Sequence, residues 1–461
     1  MSEFKLAQVN PRSRPDDQLA VQQFSMRQAF SVLLTTTLFT QGINAATIFI
    51  QSRLYTPLAL GILASALSVT MIISPVCTMQ LTFAIPQQRN LIEVTELTVL
   101  AILSTIAMLL TLGVAGSAYG LIAHPSLRTV LIAVLGLLLV PFIVLSDMGK
   151  MLSAREGAFG AVGRQNLIFA GLRASIQLIG GALGGGYLFL VLGESFGRLG
   201  SLVASRIGFW RTWRVSRESA LDLRAALRAN WRFPAISVPS TLLDNLGGYL
   251  PPLLIGYLYG IEAAGWFFLA QRFVALPNVL LVQTTADVIQ VRAAQIMLAN
   301  RPGLKPFVLK TGGLLLLVGA VVAPALLAAV RFAWPLMFGA MWEPGRQMAY
   351  ALILSSIPQC VCGPTSRLLI VANRQFLKLI FDTMFLSATL MPLLARFWGY
   401  SVGATGAVWM ISAGYLIAYS VYFGLILAAA SRPIDLKRSG PEDKTDPAPN
   451  VNEVSTAKVT D

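Results

Sequence analysis

A few charged and amide side chains stand inside runs of this chain that are otherwise apolar. Between Phe233 and Ala294 they are Asp244, Asn245, Arg272 and Asp287. Gln41 and Asn44 lie within an earlier run, with Arg27 and Arg53 toward its two ends, and Arg173, Glu194 and Arg198 follow. An ionisable residue in such a run faces a water-filled cavity or a partner group, and it is a functional candidate by default. Two chemistries are open to the set. The charges can neutralise one another: Arg272 with Asp244 or Asp287, and Glu194 with Arg198 one helical turn away, Arg173 joining them. Alternatively they stay available to a ligand, and Glu194 to ion coupling. Gln41, Asn44 and Asn245 can bond a ligand's hydroxyls or tie helices together. Arg27 and Arg53 either line the two mouths of a cavity or anchor a helix at the interfaces.

No other constellation competes with these residues. The sole histidine, His124, lies beside Pro125 in a loop and builds neither a metal site nor a Ser-His pair alone. Cys77, Cys360 and Cys362 fall in apolar runs without zinc-like spacing and read as small apolar fillers. Gly184-Gly185-Gly186 lacks a following Gly-Lys-Ser/Thr and reads as a tight turn. No cofactor, metal or enzymatic centre is expected.

The elements that must position the charges are membrane helices. Hydrophobic residues make up 55% of the chain, charged residues only 12%, and mean hydropathy is +0.68. The apolar runs are continuous and near 20 residues long, the length a helix needs to cross hydrocarbon, and they do not alternate as barrel strands would. The expectation is an all-α polytopic membrane protein of about 12 transmembrane helices in two pseudo-symmetric six-helix bundles. Its parts are a disordered cytoplasmic tail (1–25), an N-terminal bundle (26–206), a connector (207–232), a C-terminal bundle (233–430) and a second tail (431–461). The second span is expected to end near Ile85-Pro86. The connector mixes Arg211, Arg214, Arg217, Arg224 and Arg228 with Trp210, Trp213 and Trp231, the pattern of an interfacial helix on an anionic leaflet. The net charge of +14 therefore signals membrane orientation and not nucleic acid. With both termini inside, cytoplasmic segments collect roughly two dozen Lys/Arg against about five outside.

A shift of 204 residues superposes Leu54-Tyr55 on Leu258-Tyr259, Ala59 on Ala263, Gly61 on Gly265 and Ala66 on Ala270. Both copies occupy the turn between the first and second spans of their half. Six spans separate them, so the halves are parallel repeats, with ligand expected where they meet.

These residues resemble the Wzx-type polysaccharide repeat-unit flippases of the multidrug/oligosaccharidyl-lipid/polysaccharide exporter superfamily, over nearly the whole chain. The first turn, Arg53-Leu54-Tyr55-Thr56-Pro57 with Gly61, is similar to the family's Arg-Leu-Tyr-Ser-Pro-Glu-x-x-Gly, and Ala84-Ile85-Pro86 to the end of its second span. Phe233-Pro234, Pro239, Leu250-Pro251, Gly260, Ala264-Gly265, Ala270-Gln271-Arg272 and Leu276-Pro277 fall in the family's order. Phe338-Gly339 with Trp342, and Asn373-Arg374-Gln375, resemble later motifs. The chain departs at Gln80-Leu81-Thr82, where the family often has Arg-Tyr-Glu, and at Leu58-Ala59, where an acid is usual.

The resemblance implies an inner-membrane transporter that moves undecaprenyl-pyrophosphate-linked oligosaccharide from the cytoplasmic to the periplasmic leaflet by alternating access. It implies membrane lipids, a polysaccharide polymerase and a chain-length regulator as partners. Arg272 is then the first candidate to grip phosphate oxygens, because a guanidinium binds them bidentately. Gln41, Asn44 and Asn245 are candidates for the sugar hydroxyls. An ion-coupled small-molecule exporter of the same superfamily is the alternative, and a non-transport polymerase, ligase or scaffold the third.

Overall fold

The computed structural model describes residues 15–88, 90–205, 212, 214–215, 221–298, 304–366, 368–369 and 376–431. Among these residues, twelve helices of 19 residues or more make up the body. They are α1 (Pro15–Leu54), α2 (Pro57–Cys77), α3 (Leu91–Ala123), α4 (Leu127–Arg155), α5 (Phe159–Ala182) and α6 (Gly186–Ala204), then α7 (Val238–Tyr259), α8 (Ile261–Leu298), α9 (Leu304–Ala328), α10 (Glu343–Thr365), α11 (Phe376–Phe397) and α12 (Ala404–Ser431). No strand occurs among the described residues. The chain is a multi-pass helical membrane protein.

Eight segments are long and apolar enough to cross a membrane by length and composition alone, α4 reaching a mean hydropathy of 2.8. The four long helices that fall short, α1, α5, α7 and α10, carry Gln41 and Asn44, Arg173 and Gln177, Asp244 and Asn245, and Ser355 and Gln359. Their diluted hydropathy records a polar face turned inward. By contrast Leu110, Val114 and Ile122 of α3 are exposed, as side chains meeting lipid should be.

Local chemistry sets the boundaries. Thr56 caps α2, accepting from the Ala59 amide at 3.3 Å, with Pro57 in the first turn. The Gly184–Gly186 hairpin takes positive φ at Gly184 (72°) and Gly186 (59°), as expected of a tight turn. Two boundaries differ from the sequence-based expectation. α1 begins at Pro15, inside the expected tail, because the fixed φ of proline suits the first position of a helix. α2 stops at Cys77 and not near Pro86. Met79 and Gln80 adopt left-handed φ of 50° and 56°, and residues Leu81–Gln87 form a 3₁₀ turn whose Leu81, Ala84 and Ile85 are wholly buried.

In the first half α5 packs on α1 and α6, and α4 on α2 and α6; in the second, α10 packs on α8, α9 and α12, and α11 on α7 and α12. The halves meet where α2 lies against α7 and α8, and α1 against α8. Two glycines permit that approach. A Cβ at Gly61 would stand 1.9 Å from the Ile261 carbonyl oxygen, and one at Gly265 1.9 Å from that of Pro57. The 204-residue shift carries Gly61 onto Gly265 and Pro57 onto Ile261, so the two contacts are the same contact made twice around a pseudo-two-fold axis. Small residues allow such backbone proximity between membrane helices.

The same end is sealed further. Phe49 of α1 meets Phe273 of α8 and Phe338, with ring centroids at 6.5 and 5.6 Å, and Phe338 lies 4.4 Å from Trp334. Trp342 Nε1 donates to the Ser52 carbonyl at 2.8 Å, and Arg53 Nε donates to that of Met337 at 2.8 Å. One end of the molecule is therefore shut by contacts between the halves.

Candidate functional site

Behind that seal the halves part around a cavity of three adjoining lobes. The first, about 350 Å³, is lined by Ser68 of α2, Phe169 and Arg173 of α5, Glu194 and Arg198 of α6, and Arg272 of α8. The second, about 410 Å³, is lined by Asp244, Asn245 and Tyr249 of α7, Gln359 of α10, Phe385 of α11 and Tyr415 and Tyr419 of α12. Gly248, Tyr249, Gln271 and Ala275 border both. The third, about 190 Å³, lies beside Gln41, Asn44 and Thr47 of α1 and shares Arg173 and Arg272 with the first.

The first lobe is a cationic nest. Arg173 Nη1 lies 3.2 Å from Glu194 Oε1, and Arg198 Nε lies 3.9 Å from Glu194 Oε2. Both guanidinium groups face the ring of Phe169, at 5.0 and 4.9 Å from its centroid. Arg173 Nη2 also donates to Asn44 Oδ1 at 2.6 Å, and Asn44 in turn donates to Gln41 Oε1 at 3.4 Å. Arg272 rests its guanidinium 4.2 Å over the ring of Phe268, and among the described residues no carboxylate lies in ion-pair range of it. Two arginines thus share one carboxylate, and Arg272 lines the same lobe beside them. The Nε atoms of Arg173 and Arg198 are buried without a hydrogen-bond partner.

The second lobe is built differently. Phe385 and Tyr415 stack with centroids 4.1 Å apart, and Phe381 stacks on Tyr422 at 4.2 Å behind them. The Tyr415 hydroxyl donates to the Gly247 carbonyl at 2.8 Å, which holds its ring in place. Asn245 Nδ2 donates to the Met71 carbonyl at 2.6 Å, tying α7 to α2. Lys378 of α11 lies 3.1 Å from Asp244 and 3.0 Å from Asp382, whose side chain is fully buried.

Eight of the sequence-derived candidates line this cavity: Gln41, Asn44, Arg173, Glu194, Arg198, Asp244, Asn245 and Arg272. Two of the alternatives stated for the candidates do not match the structure. Arg53 is exposed at the sealed end and bonds backbone carbonyls there, so it latches the halves and lines no mouth. Arg272 does not pair with Asp244, because Lys378 holds that acid. The side chains of Asp287 and Arg27 lie outside the described residues. Lys378 and Asp382 were missed although their spacing of four is a helical ion-pair signal. The aromatic wall of Phe385, Tyr415 and Tyr419 left no signal separable from ordinary core.

Two helical halves thus clasp at one end and border a polar cavity. The family profile described as "polysaccharide biosynthesis protein" matches residues 50–345, and the chain belongs to that family. No curated protein matches it in sequence. Its fold is similar to that of an inward-facing multidrug resistance MATE family transporter of the MOP superfamily, at TM-score 0.62 and 15% identity over 89% of this chain and 99% of that one. It is similar also to the lipid II flippase MurJ in an inward closed conformation, at TM-score 0.63 and 11% identity over 87% and 90% of the two chains. A Vibrio cholerae MATE transporter, VcmN, aligns at TM-score 0.54 and 14% identity over 88% and 96%. These likenesses show a shared fold, that of a multi-pass helical membrane protein.

Proposed function

We propose that this protein is an inner-membrane flippase that carries undecaprenyl-pyrophosphate-linked oligosaccharide from the cytoplasmic to the periplasmic leaflet. The observation that carries the reading is Arg272. Among the described residues its guanidinium stands without a carboxylate in ion-pair range, in a lobe where Glu194 is already shared by two other arginines. An uncompensated positive charge at membrane depth is costly unless an anion joins it. A pyrophosphate supplies that anion, with oxygens matched to the planar fork of arginine. The adjoining aromatic and amide lobe suits sugars, whose C–H faces stack on rings while their hydroxyls bond to amides.

Mechanically, the cargo's pyrophosphate and sugars enter the open side while the polyprenyl tail stays in lipid. The bound anion neutralises the charge excess of the arginine nest. The halves then rock, the glycine clasp and aromatic seal separate, and the far side opens. With the termini cytoplasmic, the sealed end is the periplasmic one. A multidrug exporter reading is weaker, since a cationic drug would meet Arg173, Arg198 and Arg272.

The test is reconstitution of the full chain in vesicles with an undecaprenyl-pyrophosphate oligosaccharide. Arg272→Ala should abolish translocation and Arg272→Lys should restore it only partly, because an ammonium lacks the bidentate fork. In cells, deletion should strand lipid-linked repeat units on the cytoplasmic leaflet and remove surface polymer. Wild-type rates in both Arg272 variants would sink the site assignment. Polymer persisting in the deletion strain, with no second transporter present, would sink the function.

A further inference from the structure

The cavity is electrically lopsided, and this bears on which glycans it admits. Lining its first lobe are three arginines and one glutamate. In the second lobe the only charged lining side chain, among the described residues, is Asp244. Lys378 does not cancel it. Its single ammonium lies between two carboxylates, 3.1 Å from Asp244 and 3.0 Å from Asp382, so the triad keeps one negative charge. Asp382 is fully buried behind, while the Asp244 side chain is 45% exposed and faces the space. Asn245 beside it is neutral: its Nδ2 gives one N–H to the Met71 carbonyl, which leaves the second N–H and the acceptor oxygen. The remaining polar lining, Tyr249, Gln271, Ser355, Gln359, Tyr415 and Tyr419, is uncharged.

We infer that the second lobe selects neutral or amine-bearing sugars, and that Asp244 is a specificity-determining residue that excludes uronic acids. The inference rests on the flippase reading, in which the pyrophosphate occupies the arginine lobe and the first sugars reach the lobe beside it. A uronate there would set its carboxylate against that of Asp244, like charge against like. Sugar hydroxyls and ammonium groups, by contrast, donate to Asp244 and Asn245. Like-charge juxtaposition is a general device for rejecting wrong partners, because it costs more than a missing contact does.

The experiment uses the purified full chain in vesicles and three undecaprenyl-pyrophosphate oligosaccharides of equal length. They differ in one sugar near the pyrophosphate: glucose, glucosamine or glucuronic acid. Initial translocation rates should be comparable for the first two and about tenfold lower for the third, a ratio set by like-charge repulsion. In Asp244→Asn the ratio of neutral to acidic rates should fall to about twofold or less. Equal rates for all three cargoes in the wild-type protein would overturn the inference and leave the flippase reading standing. Equal slowing of all three by Asp244→Asn, with the ratio kept, would remove Asp244 from selectivity. Movement of none of the three would overturn the flippase reading itself, and this inference with it. The wild-type comparison stands even if the variant fails to fold.

Discussion

The sealed end and the cavity are built from the same pair of repeats, yet they treat the repeat in opposite ways. At the seal, Gly61 lies under the Ile261 carbonyl and Gly265 under that of Pro57, positions related by the single offset of 204. Inside the cavity the same offset pairs Ser68 of α2 with Arg272 of α8, a small hydroxyl with a guanidinium. Closure is a mechanical task that both halves perform alike, so symmetry is kept where backbones must touch. Binding a cargo that is anionic at one end and a sugar at the other is a polar task, so symmetry is lost where charge is read. The difference separates residues that govern the motion from residues that govern the cargo, and each class makes its own predictions.

The largest effect is expected in the cavity at Glu194. Its carboxylate is the shared partner of Arg173 and Arg198, whose side chains are each only 10% exposed. Glu194→Gln should destabilise the protein by about 3–5 kcal/mol, the usual cost of stranding buried charge. Thermal unfolding in detergent would read it, and replacing Arg173 by Leu as well should recover part of the loss. An unchanged midpoint in Glu194→Gln would show that the arginines are compensated elsewhere.

At the seal the symmetry itself is testable. Gly61→Ala and Gly265→Ala should each cost roughly 1–3 kcal/mol, as overpacking does, and the two costs should match. The double variant should cost less than their sum, because the second methyl meets hairpins already forced apart. Clearly unequal single costs, or simple additivity, would break the idea of one contact made twice. Trp342→Phe is a gentler probe of the same end. It removes the indole donor to the Ser52 carbonyl, 2.8 Å away in a buried setting, at a cost near 1 kcal/mol.

Much of this contrast was legible in the sequence, and the limit has a physical cause. Apolar length, the turn residues and the four-residue spacing of Glu194 and Arg198 are local, and a helix converts local spacing directly into contact. The repeat, too, could be found by a shift. Partnerships between helices could not. Asp244 meets Lys378 from a helix 134 positions further on, and nothing in either segment names the other. The end of α2 was placed too late because Leu81, Ala84 and Ile85 continue the apolar run after the backbone has turned left-handed at Met79 and Gln80.

The smallest effect is predicted at Ser68, and it sharpens the comparison most. This residue shares a lobe with Arg272 and occupies its repeat-related position. Its hydroxyl, however, is already bonded to the Ala64 carbonyl of its own helix at 2.9 Å. Such a back-bond leaves little for a ligand and adds little to stability. Ser68→Ala should therefore change the unfolding free energy by no more than about 0.5 kcal/mol. Translocation in Ser68→Ala vesicles should stay within about twofold of wild type, against the loss expected for Arg272→Ala, since no charged contact is removed. A loss in Ser68→Ala equal to that in Arg272→Ala would mean that both halves read the cargo alike. The asymmetry of the cavity would then concern packing alone, and the arginine lobe would no longer be singled out as the place where the pyrophosphate is held.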